Sequence, residues 1–329
     1  MLPARLLIVD DEPANLAVLR QILEPHYALL FARHGADALE LARRHHPNLI
    51  LLDIEMPGLD GYSVCRALKA DPQTEAIPVI FVTALSELDD EELGFEVGCV
   101  DYLVKPVSAG IVRARVRAHL SLVQAKQLDK SYRDALAMLA KAGHYNDSDT
   151  GMHVWRMAAY ARALAEAIGW SASRCELLEL AAPMHDTGKI GIPDAILRKP
   201  GKLDADEWTI MRTHSQLGHD ILVSSDAPIF QLAAEIALCH HEHWNGGGYP
   251  HGLSGEAIPE SARIVAIADV FDALTMKRPY KEAWPIEQTL ATMQVSSGEQ
   301  FEPRLMTCFI EILPRILEIK AEWERREGA

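Results

Sequence analysis

The stretch NLILLDIEMPGLDG, residues 48–61, is an unbroken apolar run that ends on Asp53 and then breaks into a turn rich in proline and glycine. A strand that is apolar on both faces has no side for water, so it belongs inside a parallel sheet covered by helices. Outward from it, LLIVDD (6–11), YALLFA (27–32), IPVIFVTA (77–84) and DYLVKP (101–106) repeat the pattern. Amphipathic stretches at 14–23, 36–45 and 61–69 lie between them. Strand, helix, strand repeated five times predicts an α/β doubly wound five-stranded parallel sheet over residues 1–122. In such sheets the active groups gather at the carboxyl ends of strands, where Asp10, Asp11, Asp53, Thr83 and Lys105 all fall.

Three carboxylates crowded on one sheet edge are costly unless a cation neutralises them. Oxygen donors of this kind suit Mg²⁺. The Thr83 hydroxyl and the Lys105 ammonium are suited to gripping a phosphoryl group on Asp53. One strand-end acid alone reads as a solvated side chain; matching residues on successive strand ends do not. The stretches IVDD, LLDIEMPGLDG, VTA and DYLVKPV resemble the receiver domain of two-component response regulators over residues 3–122. The resemblance implies that Asp53 is the phospho-acceptor, served by a cognate sensor histidine kinase. It further implies Mg²⁺ held among Asp10, Asp11, Asp53 and the carbonyl of Glu55, a switch pair of Thr83 and Tyr102, and Lys105 on the phosphoryl group.

Between Ile111 and Lys141 there is no proline or glycine, and the chain is rich in Ala, Leu, Arg and Gln. The last helix of the first domain is therefore expected to run on into a connecting helix, 123–142. Its apolar stripe through Val116, Leu120, Val123, Leu128, Tyr132, Ala135 and Leu139 either pairs two chains as a coiled-coil homodimer or packs onto the chain's own domains. Beyond residue 143 the strand signal disappears. Stretches at 153–168, 174–184, 205–222, 227–242, 261–276 and 302–324 have helical period, so residues 143–329 are expected to form an all-α domain. Loops rich in Gly and Pro lie at 185–200 and 244–259.

Those loops and the adjoining helices carry HHEHWNGGGYP (240–250), the adjacent His185-Asp186 followed by Lys189, His153 with Asp149 one helical turn before it, His214, and Asp269 in ARIVAIADVFDAL. Each taken singly is an ordinary surface or capping residue. Asp269 is less ordinary, because it interrupts an apolar helix, and a buried carboxylate needs a partner or a metal. Five imidazoles with two or three carboxylates form a mixed N/O set that fits Fe, Mn, Ni or Zn better than Mg or Ca.

The stretches HDTGKIGIPD, ILRKPG, HHEHWNGGGYPHGLSG, IPESARIVAIADVFDALT and RPYK resemble the HD-GYP branch of the HD-superfamily phosphohydrolases over residues 140–329. That resemblance implies cyclic di-GMP phosphodiesterase activity yielding pGpG, GMP or both. It implies two transition-metal ions, one held by His153, His185, Asp186 and Asp269, the other by Asp186, His214, His240 and His241, with Asp186 bridging. Lys189, Arg278 and Lys281 would bind the substrate's phosphates, and Lys189 would serve the leaving group. Three departures stand out: Asp149 replaces a longer glutamate and is expected to hold a water rather than a third metal, Asn245 stands where an aspartate is usual, and Thr187 replaces an aliphatic residue. Two other readings compete, a phosphodiesterase for another cyclic dinucleotide and a receiver-controlled interaction module without turnover.

The net charge of −15 argues against nucleic acid and anionic membrane as partners. No apolar run is long enough to span a bilayer and the start lacks a signal-peptide pattern, so the expected location is the cytoplasm. Cys65, Cys99, Cys175, Cys239 and Cys308 are dispersed and read as reduced thiols filling cores, although Cys239 beside His240 is a conceivable thiolate ligand.

Overall fold

The computed structural model describes residues 3–84, 93–143, 153–276 and 283–327. The chain forms two compact units, 1–131 and 132–329. In the first, β1 (Arg5–Val9), β2 (Ala28–Ala32), β3 (Leu49–Asp53), β4 (Val79–Thr83) and β5 (Asp101–Val104) make one sheet in the order β2-β1-β3-β4-β5, with every pair parallel. Helices α1 (Pro13–Leu23), α2 (Gly35–His45), α3 (Gly61–Ala70) and α4 (Ala109–Gly143) complete the described elements.

Alternation along the strands produces two separate cores. Leu7, Val9, Ile50, Leu52, Val79 and Phe81 face α2 and α3 through Ala38, Ala42, Val64 and Leu68. Their neighbours Leu6, Ile8, Leu49, Leu51, Ile80 and Val82 face α1 and α4 through Leu19, Leu23, Val112, Val116 and Leu120. This two-sided burial is what the continuous apolar runs of the sequence encode.

The boundary between units falls inside α4, a single helix of 35 residues. Its apolar stripe is divided. Val116 and Leu120 belong to the first unit's core, whereas Leu136 and Ala140 are buried in the second unit's core. Leu128 and Tyr132 between them stay exposed.

The second unit is helical: α5 (His153–Ala167), α6 (Ala172–Ala181), α7 (Asp194–Leu197), α8 (Ala205–Arg212), α9 (His214–Leu222), α10 (Pro228–Cys239), α11 (Glu260–Thr275), α12 (Ile286–Val295), α13 (Pro303–Glu311) and α14 (Leu313–Glu327), with short 3₁₀ turns at Ala182–Met184 and Thr187–Gly191. Helix α5 buries ten of its fifteen residues and packs against α6, α11 and α14. The stretch 205–222, expected as one helix, is two, and so is 302–324. All five cysteines are free, four of them buried.

Candidate active site

In the first unit, parallel pairing of β1 with β3 sets Val9 beside Leu52, so the next residues, Asp10 and Asp53, emerge together at the sheet edge. Both are buried. Lys105, just past β5, places its Nζ 2.9 Å from Asp10 Oδ2 and 2.8 Å from Asp53 Oδ2. Asp10 Oδ1 accepts from the Glu12 N–H at 2.9 Å and from Asn15 Nδ2 at 3.0 Å. Burial pushes the Asp53 carboxyl above its ordinary range and Asp10 adds to this; Lys105 and the Glu55 N–H oppose it without prevailing. Asp11 joins them to make three carboxylates with ligand atoms all within 4.8 Å of one another, an oxygen set that fits a hard divalent cation. Thr83 and Tyr102 are buried at the neighbouring strands, the Tyr102 ring lying against Phe81 and Phe95.

In the second unit, α6 runs into the 3₁₀ turn that delivers His185, and the chain then bends sharply through Asp186. Gly188 lets this bend press onto α9: a Cβ there would lie 1.9 Å from the His214 carbonyl oxygen, a distance no side chain tolerates. The close approach brings the two carboxylate oxygens of Asp186 to different partners. Oδ2 lies 3.3 Å from His185 Nε2 and 2.7 Å from Lys189 Nζ, whereas Oδ1 lies 3.4 Å from His214 Nε2 and 3.7 Å from His240 Nε2. On the Oδ2 side, Asp269 Oδ1 is 3.9 Å from His185 Nε2 and 3.8 Å from His153 Nε2. On the Oδ1 side, Asp186, His214, His240 and His241 have ligand atoms within 4.8 Å of one another.

The imidazoles are oriented from behind. Nδ1 of His185 donates to the Ala182 carbonyl at 2.9 Å, that of His214 to Met211 at 2.7 Å, and that of His240 to Ile236 and Ala237 at 3.1 Å. This tautomer turns the Nε2 lone pair inward. Nε2 of His214 and of His240 is buried without a hydrogen-bond partner among the described residues. Burial holds both rings below their ordinary pKa, with neighbouring imidazoles adding to it, and takes His241 down to about 3. These rings stay neutral and able to donate to a cation. His185 differs: burial lowers its pKa, but Asp186 and Asp269 outweigh that and carry it up to about 9. The donor set therefore fits a transition metal.

Two buried supports carry no motif in the sequence. Asp272, fully buried one turn after Asp269, bonds His153 Nδ1 and forms a fork with Arg156, Nε to Oδ1 at 2.6 Å and Nη2 to Oδ2 at 2.8 Å. Glu242 accepts the N–H groups of His251 at 2.7 Å and Leu253 at 2.9 Å, pinning the loop that follows the paired histidines. Gly248 is a second place where only glycine fits, since a Cβ would meet His243 N at 2.3 Å. Pinned in this way, Tyr249 stacks on His241 with ring centroids 4.7 Å apart, and the Arg212 guanidinium lies 5.2 Å from the Tyr249 ring centroid. Burial raises the Tyr249 phenol, which stays protonated.

Of the departures noted in the sequence, Asn245 shapes a turn: its Oδ1 accepts the Gly247 N–H at 2.8 Å and its own N–H donates to the Glu299 carbonyl. Thr187 is buried with no hydrogen bond to its hydroxyl among the described residues. Cys239 is not a thiolate ligand. It packs against Ile258 and Ala262, and burial pushes its thiol up to about 12. Asp149, Arg278 and Lys281 lie outside the described residues.

The response regulator receiver domain family matches residues 6–117, and the HD domain family matches residues 122–305. The cyclic di-GMP phosphodiesterase response regulator RpfG of Xanthomonas campestris pv. campestris is 38% identical over 93% of this chain and 86% of its own length. A cyclic di-GMP phosphodiesterase of Thermotoga maritima is 33% identical over 95% and 91%. The chain also resembles a 3'3'-cGAMP-specific phosphodiesterase of Vibrio cholerae, 44% identical over 59% of this chain and 37% of that protein. No described helix is long and apolar enough to cross a membrane. With a five-stranded parallel sheet that carries an acidic cluster at its edge, followed by a helical unit that carries a histidine and aspartate cluster, the chain belongs to the response regulators that join a receiver domain to an HD-type phosphodiesterase domain.

Proposed function

We infer that this protein hydrolyses cyclic di-GMP at a binuclear transition-metal centre, Fe, Mn, Ni or Zn, under the control of phosphorylation at Asp53 by a sensor histidine kinase. The observation that carries the reading is the position of Asp186, with one oxygen toward His185 and the other toward His214 and His240. His153, His185, Asp186 and Asp269 would hold one ion, and Asp186, His214, His240 and His241 the second. When bound, such ions stabilise charge on phosphorus and its oxygens and generate a nucleophile from water. The chain's own residues hold the diester in place. Lys189, within 2.7 Å of the bridging carboxylate, offers its ammonium to a non-bridging phosphate oxygen or to the departing alkoxide. The protonated Tyr249 phenol offers a donor beside it, and Arg278 and Lys281 are assigned to the remaining phosphate charge.

In the receiver, Asp10, Asp11, Asp53 and the Glu55 carbonyl would hold Mg²⁺, whose charge would offset the burial and the Asp10 repulsion that raise the Asp53 carboxyl. Lys105, already on Asp53, then binds the phosphoryl group, and Thr83 and Tyr102 respond to it. Exposed Leu128 and Tyr132 support pairing of two copies along the middle of α4.

The test is turnover of cyclic di-GMP by protein loaded in turn with Fe, Mn, Ni or Zn, with separation of pGpG and GMP. Asp186→Ala is expected to lose turnover and most of the metal; near-normal activity in that variant refutes the binuclear reading. Turnover of 3'3'-cGAMP in preference to cyclic di-GMP moves the protein to the other substrate class.

A further inference from the structure

A cleft of about 580 Å³ opens beside the histidine cluster, lined by Ala205, Trp208, Thr209, Arg212, His241 and Tyr249. Four of these six come from α8 at positions i, i+3, i+4 and i+7, which is one face of a helix. Helix α8 buries none of its residues, yet its start is capped. Asp204 and Glu207 form a reciprocal capping box, and Lys199 bonds Glu207 at 2.5 Å. A surface helix this well capped keeps a tryptophan 46% exposed on the face that looks into the cleft.

Arg212, one turn and roughly 6 Å further along the helix, has no carboxylate partner among the described residues. Its guanidinium lies over the Tyr249 ring. With one flat side covered, the N–H edge is what remains for a ligand, and that edge is a rigid fork matched to two acceptors side by side.

We propose that this face of α8 is the subsite for a guanine base of the substrate, stacked on Trp208 and read at O6 and N7 by Arg212. The proposal rests on the cyclic dinucleotide reading above. The cleft is continuous with His241, so a nucleotide whose phosphate lies at the metal centre has its base directed along α8. An exposed indole is a sequence-tolerant stacking surface for a nucleobase. A bidentate arginine supplies what stacking lacks, since guanine presents two acceptors where adenine presents one acceptor and one donor.

The test compares kcat/KM for cyclic di-GMP with that for bis(p-nitrophenyl) phosphate, a diester without a base. Trp208→Ala is expected to lower the ratio at least about fivefold, through KM rather than kcat, and Trp208→Phe to recover most of it. Arg212→Ala and Arg212→Lys are both expected to cut the preference for cyclic di-GMP over cyclic di-AMP at least about fivefold, because an ammonium cannot reproduce the fork. A parallel loss on both diesters in Trp208→Ala, or an unchanged KM for cyclic di-GMP, overturns the proposal. The substrate reading is judged separately. If the unmutated protein cleaves only the base-free diester, that reading fails, and inhibition of this cleavage by GMP then decides the subsite. A GMP inhibition constant raised at least about fivefold in Trp208→Ala sustains it, and an unchanged constant overturns it.

Discussion

Asp272→Asn neutralises one partner of an ion pair with no exposure on either side. Asp272 and Arg156 are both 0% exposed. The carboxylate takes two N–H groups of the guanidinium, at 2.6 and 2.8 Å, and shares Oδ2 with His153 Nδ1. Asparagine keeps the shape and one acceptor oxygen but removes the carboxylate charge that the buried guanidinium faces, beside Tyr160. Breaking a buried pair from one side costs about 3–5 kcal/mol. For a unit of this size, each kcal/mol lowers Tm by roughly 2–4 °C, so the second unit is expected to melt about 6–20 °C lower.

The same change releases His153 from the carboxylate that fixes its tautomer. Losing such an orienting partner typically weakens metal binding by about 10–100-fold. Calorimetry of the metal-free protein measures the first effect, and chelator competition measures the second. A double variant, Asp272→Asn with Arg156→Met, separates charge from shape: it removes the buried cation together with the anion, so the double variant should melt above the single one. A drop in Tm below about 2 °C in Asp272→Asn, with metal affinity unchanged, would refute the claim that this pair supports the site.

Gly188→Ala is expected to cost at least about 2 kcal/mol and to lose metal with it, since the added Cβ would sit 1.9 Å from the His214 carbonyl; urea unfolding checks the first and elemental analysis the second. Asp53→Asn is expected to take up no phosphoryl group from acetyl phosphate, read by mass spectrometry. In Mg²⁺-free buffer it should not melt below the parent, because burial and Asp10 already disfavour the Asp53 carboxylate. Asp101 is opposed by burial but held below the usual carboxylate range by Arg115, His119 and the Tyr102 N–H. Its folded pKa is depressed, so its stabilisation is present above the unfolded value near ~4 and fades as pH falls through the folded one. The difference in urea midpoint between the parent and Asp101→Asn should therefore be full at pH 7 and shrink below pH ~4; a difference independent of pH would contradict it.

Much of the fold is legible because burial on two faces leaves a mark on composition. All five apolar runs of residues 1–122 are strands, and none pairs antiparallel. Periodicity is blind where a helix stops without glycine or proline. At Thr213 the backbone stays near helical values, φ −67° and ψ −15°, and the Thr213 hydroxyl bonds the Ile210 carbonyl, so the sequence 205–222 reads through a break that separates α8 from α9. That break leaves Trp208 and Arg212 exposed while His214 is buried. The break at Ile312 left a clue in Pro314, which cannot sit in a helix interior. Helix α12 carries only a thin apolar stripe, Ile286 and Leu290 partly buried and Met293 fully so.

The candidate site divides along the same line. Residue type alone marks the histidines, Asp186 and Asp53, because those side chains in that number have few other uses. Asp272 and Arg156 are separated by 116 residues and meet only when α5 and α11 pack, so no spacing rule connects them. One pattern was available: His153 is followed by Arg156 and Asp269 by Asp272, each at i+3 on an otherwise apolar helix. A cation and an anion repeated one turn behind two candidate ligands, both on faces too apolar to hold them alone, imply each other as partners. Had that been read, the pairing of α5 with α11 would have followed from the sequence, and with it the contact that places His153 and Asp269 within 3.8 Å of each other.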